Sequence, residues 1–377
     1  MEGNHKGLVV ESLEYIVKGV FMNQAPLICI DGETLMTTPL PPIRFIISGL
    51  LPQGLHILAG PPKVGKSWLA LWLCLQVSKG EPVWGFESRQ GSVLYLCLED
   101  SYARIQKRLL DVTDDAPDNL FFSTISAKLR EGLEQQVEQF LSEHTDTVLI
   151  VIDTLQRIRG NTSDANLYAS DYRDLGILKE LADQNHIAVL LIHHLRKMND
   201  DDPMNMISGT TGISGATDSN FVLRKGKRSG NSATLYCTGR DIEYRELVLE
   251  FDAQTHIWKL SPGCFLAEPE PQDEIIFSLS ALLKERMIFC GTATELSESL
   301  KSYCQVPPLP NVLVKKIIRY QQELSDAGIV LTTRRTHERK EILLRYERVD
   351  CVGNDGKSDT CSVLDLSTQP LQPTQMN

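Results

Sequence analysis

The sequence predicts an α/β chain with a mostly parallel sheet carrying added antiparallel strands, followed by a small α+β unit. Three observations lead there. From Ile43 to about Leu260, short apolar runs alternate with amphipathic stretches, the pattern of repeated βα units. Within that run, Gly60-x4-Gly65-Lys66-Ser67 lies between an apolar strand and a helical period, the setting of a phosphate-binding loop. Beyond the Pro/Glu-rich stretch Ala267 to Gln272, three helical patterns precede two alternating strands.

Residues 1–40 read as an N-terminal arm with one short helix, Val9 to Val20, and a Pro-rich exit at Pro39, Pro41 and Pro42. The sheet domain spans 41–262. Its expected strands are 54–59, 92–98, 119–124, 147–153 and 187–193, separated by helices 66–79, 101–111, 130–143 and 165–184. The helix that opens after the loop places Leu69, Trp72, Leu73 and Val77 on one face. Short connections then join strands near 220–224, 232–238, 246–251 and 256–260, which makes them antiparallel additions.

A linker (263–272) leads to a second domain, 273–349, and a polar, aperiodic tail, 350–377, is expected to be disordered. The second domain opens with a helix from Glu274 to Arg286. Thr292 and Glu295 have the spacing of a capping box for a second helix. Asn311 is expected to cap a third helix that runs to Ala327 and stops at Gly328. Strands Ile329 to Arg334 and Glu341 to Tyr346 flank a basic turn with Arg335, His337, Arg339 and Lys340. Three helices and a two-stranded wing make this a winged-helix-like α+β domain.

Composition narrows the classes. With 42% hydrophobic residues in 377, the chain can bury sizeable cores. Its longest apolar runs, such as Val148 to Ile152 and Ala188 to Ile192, are too short to cross a bilayer. The start, Met1-Glu-Gly-Asn-His5, has neither the basic nor the apolar region of a cleavable signal. Nine cysteines without a CxxC pair suit reduced thiols. A cytoplasmic protein with no membrane partner is therefore expected. The net charge of −11 argues against indiscriminate coating of nucleic acid, but leaves room for a local basic channel.

The candidate site starts at the loop. Backbone N–H groups of Gly60, Pro61, Pro62, Lys63, Val64, Gly65, Lys66, Ser67 and Trp68 would form the phosphate cradle, except at the two prolines, which have none, so that the donors come from Lys63 onward. The Lys66 ammonium would reach the β- and γ-phosphates, and the Ser67 hydroxyl would ligate Mg²⁺. Asp153 ends the apolar strand Val148 to Ile152 and is the candidate carboxylate for the metal. Ser92 to Leu98 is another strand ending in acid; Glu99 is the preferred residue to orient and deprotonate a water, with Asp100 as the alternative. The next strand ends in His193 and His194, followed by Arg196 and Lys197, where a donor could contact the γ-phosphate. Metal ligation by both histidines is disfavoured, because neighbours on a strand face opposite sides.

The ordered set GPPKVGKS, YLCLED, VLIVID, LLIHHLRK, SGTTGISGATDS and CTGRD, spanning residues 40–262, resembles the RecA-like ATPases of the hexameric replicative helicase group. It is most similar to the RepA-type and related AAA-family ATPases of plasmids, phages and mobile elements. The resemblance implies ATP and Mg²⁺ as cofactors and a homo-oligomeric ring of the hexameric kind. It also implies Lys66, Ser67 and Asp153 at the triphosphate and metal, Glu99 as the catalytic carboxylate and His194 as a γ-phosphate sensor. Arg240 in Tyr236-Cys-Thr-Gly-Arg240-Asp241 matches the finger that enters a neighbouring subunit's site, with Lys225, Lys227 and Arg228 as rivals. The group often carries Lys-x-Arg where this chain has Thr238-Gly-Arg240, so a second cation comes from elsewhere or is absent. The C-terminal domain is similar to winged-helix appendages of mobile-element ATPases, which bind protein as readily as DNA.

RecA-like rings line their channel with the loops after the metal-binding and sensor strands. The first here, Gln156 to Thr162, carries Arg157 and Arg159 and could touch phosphates; the second, Met198 to Pro203, holds Asp200, Asp201 and Asp202 and repels them. Two functions are therefore expected. One is an ATP hydrolase that handles single-stranded DNA as a helicase in mobile-element replication. The alternative is a nucleotide-gated loader or regulator that docks a replication protein through the winged-helix-like domain. A small-molecule kinase is disfavoured for want of a recognisable lid.

Overall fold

A computed structural model of the chain describes residues 29–160, 167–196, 200, 202–207, 211–226, 230–262, 273–304, 306–335 and 340–347. The expected helix at 9–20, the 263–272 linker, the 350–377 tail, the turn residues 336–339, and Lys197, Lys227 and Arg228 lie outside the described residues. The chain divides into two compact units, Met1–Leu35 with Leu40–Pro271, and Met36–Pro39 with Gln272–Asn377.

Before the sheet come α1 (Gly32–Thr37) and a small antiparallel pair, β1 (Phe45–Ile47) and β2 (Leu51–Pro52), none of which the sequence pattern announces. The first unit then runs β3 (Gly54–Gly60), α2 (Lys66–Lys79), β4 (Ser92–Cys97), α3 (Tyr102–Val112), β5 (Leu120–Ser123), α4 (Leu133–Glu143) and β6 (Thr147–Asp153). It continues with α5 (Leu155–Ile158), α6 (Leu167–Asn185), β7 (Ala188–His194), α7 (Thr211–Ala216), β8 (Ser219–Lys225), β9 (Ser232–Gly239), β10 (Arg245–Phe251) and β11 (Trp258–Leu260).

One nine-stranded sheet carries β3 to β11 in the order β11-β10-β9-β8-β3-β7-β6-β4-β5. The six strands from β8 to β5 are parallel, and β9, β10 and β11 add on antiparallel beyond β8. The strand expected near 220–224 as an antiparallel addition is therefore parallel to β3, because the connection from β7 is long and carries α7. Alternate residues of each inner strand enter two cores. Leu58, Tyr95, Leu149, Val151, Leu190 and Ile192 pack on the side of α2. Leu55, Ile57, Leu96, Ile150, Ile152 and Leu191 pack on the side of α4 and α6. Both faces being covered explains why the strands are continuous apolar runs rather than alternating ones. A buried leucine such as Leu149 contributes about 1.5–3 kcal/mol by its removal from water.

Helix α2 is buried on nearly every side, including Ala70, Leu71, Cys74 and Leu75, and not only along the expected Leu69, Trp72, Leu73, Val77 face. It ends in a left-handed Gly80 (φ 70°) whose N–H bonds Gln76 and Val77 carbonyls. Among the described residues all six cysteines are free thiols, and Cys74, Cys97 and Cys237 are buried in the core. No helix among them is long and apolar enough to cross a membrane.

The second unit runs α8 (Glu274–Arg286), β12 (Ile288–Gly291), α9 (Ala293–Leu300), α10 (Pro310–Arg319), α11 (Gln321–Asp326), β13 (Ile329–Arg335) and β14 (Lys340–Tyr346). Its sheet order is β12-β14-β13, all antiparallel, over a core that includes Leu279, Leu283, Leu300, Leu313, Ile317, Leu324 and Leu344. Three details depart from the sequence reading. Strand β12 adds a third member to the expected two-stranded wing; it has only Phe289 to show inside, too short a pattern to be legible. The third helix begins at Pro310 with Leu309 as its cap, because proline suits the first helical position and Asn311 already lies in the first turn. That helix also breaks at Tyr320 (φ −100°, ψ 24°), splitting the expected single rod into α10 and α11. The capping box is present in both directions, with Thr292 Oγ1 accepting from Glu295 N–H and the Glu295 carboxylate accepting from Thr292 N–H.

Candidate active site

The loop between β3 and α2 is shaped by two glycines with distinct constraints. A Cβ on Gly60 would come within 2.8 Å of the Leu223 carbonyl oxygen, so only glycine lets β8 pack there. Gly65 sits in the left-handed region (φ 108°), and α2 starts at the next residue with no side chain of Gly65 to cap its first turn. The first-turn N–H groups of α2 therefore face the loop, and the positive end of the helix faces the same way. Lys63 also takes a left-handed conformation (φ 62°). The Lys66 side chain is buried and folds back over the loop, donating to the carbonyls of Gly60 (2.9 Å) and Pro61 (3.2 Å).

Opposite the loop stands the end of β6. Strand β7 separates β3 from β6, so the Asp153 carboxylate is reached across one strand from Gly60. Ser67 Oγ donates to Asp153 Oδ2 at 2.7 Å, and the Tyr95 hydroxyl donates to the same oxygen at 3.2 Å. Burial raises the pKa of Asp153, and the Ser67 and Tyr95 hydrogen bonds oppose that rise. Burial lowers the pKa of Lys66, against the pull of the negative charges of Asp153 and Glu99. Lys66, Ser67, Asp153 and Glu99 thus share one neighbourhood.

Glu99 follows β4 and is exposed, with Oε1 accepting a hydrogen bond from Thr154 Oγ1 at 3.2 Å. Its rival Asp100 is already committed: Arg104 and Arg108 of α3 pair with its two carboxylate oxygens at 2.7 and 2.5 Å. Of the two acids, only Glu99 keeps its carboxylate turned to open space beside Asp153 and Thr154. His194 ends β7 in register with Gly60. Strand alternation puts it on the α2 side with Leu190 and Ile192, and puts His193 on the α6 side. The buried Nδ1 of His194 has no hydrogen-bond partner among the described residues.

Arg240 lies elsewhere. Register pairs His56 with Ser219 and Ser219 with Gly239, so Arg240 stands at the start of β3 rather than at its loop end. At about 3.3 Å per residue that is roughly 15 Å from Gly60 along the strand. Its backbone N–H donates to Asp218 O (2.8 Å) and its guanidinium to Asp218 Oδ1 (3.3 Å), while the side chain stays 62% exposed. The rival Lys225 ends β8 on the loop side, with Nζ 5.6 Å from the Trp258 ring. Both arginines of the loop after β6 are held within the chain: Arg157 Nε donates to Leu98 O, and Arg159 pairs with Asp171 (2.6 Å) and Asp174 (3.6 Å). In the next loop Asp200 and Asp202 are exposed and accept from the backbone N–H groups of Asp202 and Met204.

Sequence reasoning missed several residues that shape the site. Tyr95 was legible in principle, being on the same strand face as Cys97 and the α2 core. Thr154 directly follows Asp153, the candidate carboxylate for the metal. Trp258 could not be found from sequence: it comes from β11, four strands away from β3, yet its Nε1 donates to Gly65 O at 3.2 Å. Such a contact depends on the order and twist of the whole sheet rather than on any local pattern.

A left-handed glycine opening a helix, a buried lysine on the loop and a hydroxyl–carboxylate pair one strand over suit a polyphosphate held with a hard divalent cation. Mg²⁺ is usually bound by one or two protein oxygens and the phosphates themselves, which the Ser67–Asp153 pair could provide. No cluster of three or more His, Cys, Asp or Glu side chains forms a separate metal cage among the described residues. Sheet order and site together define a P-loop ATPase core of RecA-like build. In agreement, the AAA domain family model matches residues 30–200.

Three similarities accompany that match. The DNA repair protein RadA of Streptococcus pneumoniae (strain ATCC BAA-255 / R6) is 28% identical over 157 residues, 41% of this chain and 33% of RadA, so the chain spans about a third of that relative's length. A DnaB-like replicative helicase, solved in a study of its interactions with primase, superposes with a TM-score of 0.49 at 15% identity, covering 67% of this chain and 71% of that one. A further solved structure, an isolated ATPase domain, superposes with a TM-score of 0.47 at 15% identity, covering 55% and 85%.

Proposed function

We propose that the chain is a Mg²⁺-dependent ATP hydrolase that couples hydrolysis to the handling of single-stranded DNA, as a helicase in the replication of a mobile element. The observation that carries the hydrolase reading is the Ser67–Asp153 hydrogen bond beside the buried Lys66, with exposed Glu99 next to it. In this reading Lys66 leaves the Gly60 and Pro61 carbonyls to pair with the β- and γ-phosphates. Ser67 and Asp153 hold Mg²⁺, which supplies charge neutralisation of the phosphates when bound. Glu99 orients a water and takes its proton, and Thr154 fixes the direction of its carboxylate. His194, whose Nδ1 finds no partner among the described residues, senses the γ-phosphate from the same sheet edge.

Arg240 acts on a neighbouring copy within a homo-oligomeric ring. Its exposed guanidinium, about 15 Å along the strand from its own loop, cannot serve this chain's own site, and this supports a role in trans. The relative named a DNA repair protein supports action on DNA. The helix–strand–helix–helix–helix–strand–strand order of the second unit supports a winged-helix-like reading of it.

A second reading has one observation in its favour. The exposed Asp200 and Asp202 in the loop after β7 disfavour DNA phosphates where a channel would need cations. A loader or regulator that docks a replication protein through the second unit would tolerate them. The deciding experiment measures ATP turnover with and without single-stranded DNA, then strand displacement on a forked duplex. Lys66→Ala should abolish turnover, and full activity in that variant would refute the site. DNA stimulation with displacement supports the helicase; turnover indifferent to DNA and without displacement supports the loader.

A further inference from the structure

Four side chains outside the phosphate loop's chemistry form a continuous stack from one half of the site to the other. Trp68 directly follows Ser67 in the first turn of α2. Its indole stacks on the His256 ring from the β10–β11 connection, with ring centroids 4.6 Å apart and planes inclined by 19°. The Arg108 guanidinium lies 5.5 Å from the centre of the same indole. Arg108 also pairs with Asp100 at 2.5 Å, and Asp100 is the residue after Glu99. The Asp100 side chain is only 12% exposed and Arg108 24%, whereas Arg104, the other partner of Asp100, is 59% exposed. Arg108 is thus the more buried of the two arginines, and it is the one that also lies against the P-loop helix.

We infer that Arg108 is a positioning residue for Glu99, spacing the water-activating carboxylate from the P-loop helix through the Trp68 indole on one side and Asp100 on the other. The inference rests on the assignment of Glu99 above. The physical need is plain. Glu99 is exposed, and the hydrogen bond that restrains its side chain comes from Thr154 at 3.2 Å. An exposed carboxylate so lightly restrained samples several rotamers, and a misplacement of about 1 Å can cost about a hundredfold in rate. Fixing Asp100 fixes the backbone from which Glu99 projects. A planar guanidinium can grip a carboxylate while lying against an aromatic ring, a combination that a lysine ammonium reproduces only in part.

The test measures steady-state ATP turnover of the full chain, with ATP affinity determined separately by titration. Arg108→Ala should lower kcat by about tenfold or more while nucleotide affinity stays within about twofold. Arg108→Lys should recover part of the loss, and Trp68→Phe, which keeps a ring under the guanidinium, should lose less than Trp68→Ala. The readout that a merely structural role would not reproduce is the double variant. If Arg108 acts through Glu99, Arg108→Ala placed on Glu99→Gln should cause no further loss. A kcat within about twofold of the parent, a loss confined to affinity, or a full additional loss in the Glu99→Gln background would each overturn the inference. Should Arg108→Ala fail to fold, Arg108→Lys carries the same comparison. If Glu99→Gln itself kept full turnover, the assignment of Glu99 would fall instead, a result distinct from any of these.

Discussion

Trp258 Nε1 donates to the carbonyl of Gly65 at 3.2 Å, and a Cβ on Gly65 would lie 3.0 Å from the same indole. The edge of the antiparallel half of the sheet therefore packs directly on the residue that opens the P-loop helix. Trp84 anchors the arrangement from behind, its Nε1 donating to Trp258 O at 2.7 Å.

That contact sets the first prediction. Gly65→Ala should weaken nucleotide binding by about tenfold or more and lower stability by about 1–3 kcal/mol, since φ 108° is strained for any side chain. Adding Trp258→Ala removes the steric conflict but not the strain, so the double variant should stay impaired. Nucleotide titration and thermal unfolding read both effects; recovery of full binding in the double variant would show that the indole, not φ, is the constraint.

Asp153 gives a pH-dependent prediction. Its pKa is raised in the folded protein, chiefly by burial, so the ionised form is disfavoured relative to the unfolded chain. The folded protein loses stability from this group as pH rises from the ordinary carboxylate value through the raised folded value. Asp153→Asn should therefore raise the melting temperature of the nucleotide-free protein at about pH 7.5 while eliminating turnover. That advantage should shrink as pH falls below the raised folded value. A lower melting temperature for the variant at that neutral pH would contradict it.

Arg240 and Asp218 give the third. Asp218 also accepts from Leu55 N–H (2.9 Å) and pairs with Lys179 (2.8 Å), so losing Arg240 leaves that buried carboxylate well partnered. Arg240→Ala should then unfold at nearly the parent temperature, yet lose turnover by about a hundredfold or more with nucleotide affinity retained, approaching the scale seen for fingers acting in trans. Mixing it with Lys66→Ala protein should restore part of the activity, because one variant supplies the intact loop and the other the intact finger. No recovery on mixing, despite co-assembly, would argue against a shared site.

In the second unit, Thr292→Ala removes one half of the reciprocal cap of α9 and should cost about 1 kcal/mol. Amide exchange in the first turn of α9 should quicken by about fivefold, the rate equivalent of that loss. Unchanged protection there would mean the Glu295 half of the box suffices.

Much of this molecule was legible in its residues. The apolar runs outline the parallel strands β3 to β7 to within a residue or two, and in the four of them inside the sheet burial on both faces leaves an unbroken hydrophobic signature. The bounds Lys66–Lys79 of the P-loop helix follow from Gly65 before it and Gly80 after it. Asp153 and Glu99 stand out as acids ending apolar strands. By contrast, β12 and the split at Tyr320 rest on a few side chains settling into a shared core, which leaves no period to read.

What tertiary structure alone decided is which of these groups meet. Strand order puts β7 between Gly60 and Asp153, and the β8–β9 register sends Arg240 to the far end of β9. Asp100, by contrast, is taken up locally by Arg104 and Arg108 of the helix that follows it, which leaves Glu99 open. The fold of the sheet also brings Trp258 from a distant edge onto Gly65. Local pattern specifies elements because burial and backbone propensity act over a few residues. The partners of a side chain depend on sheet order and twist, which are set by the packing of the whole domain.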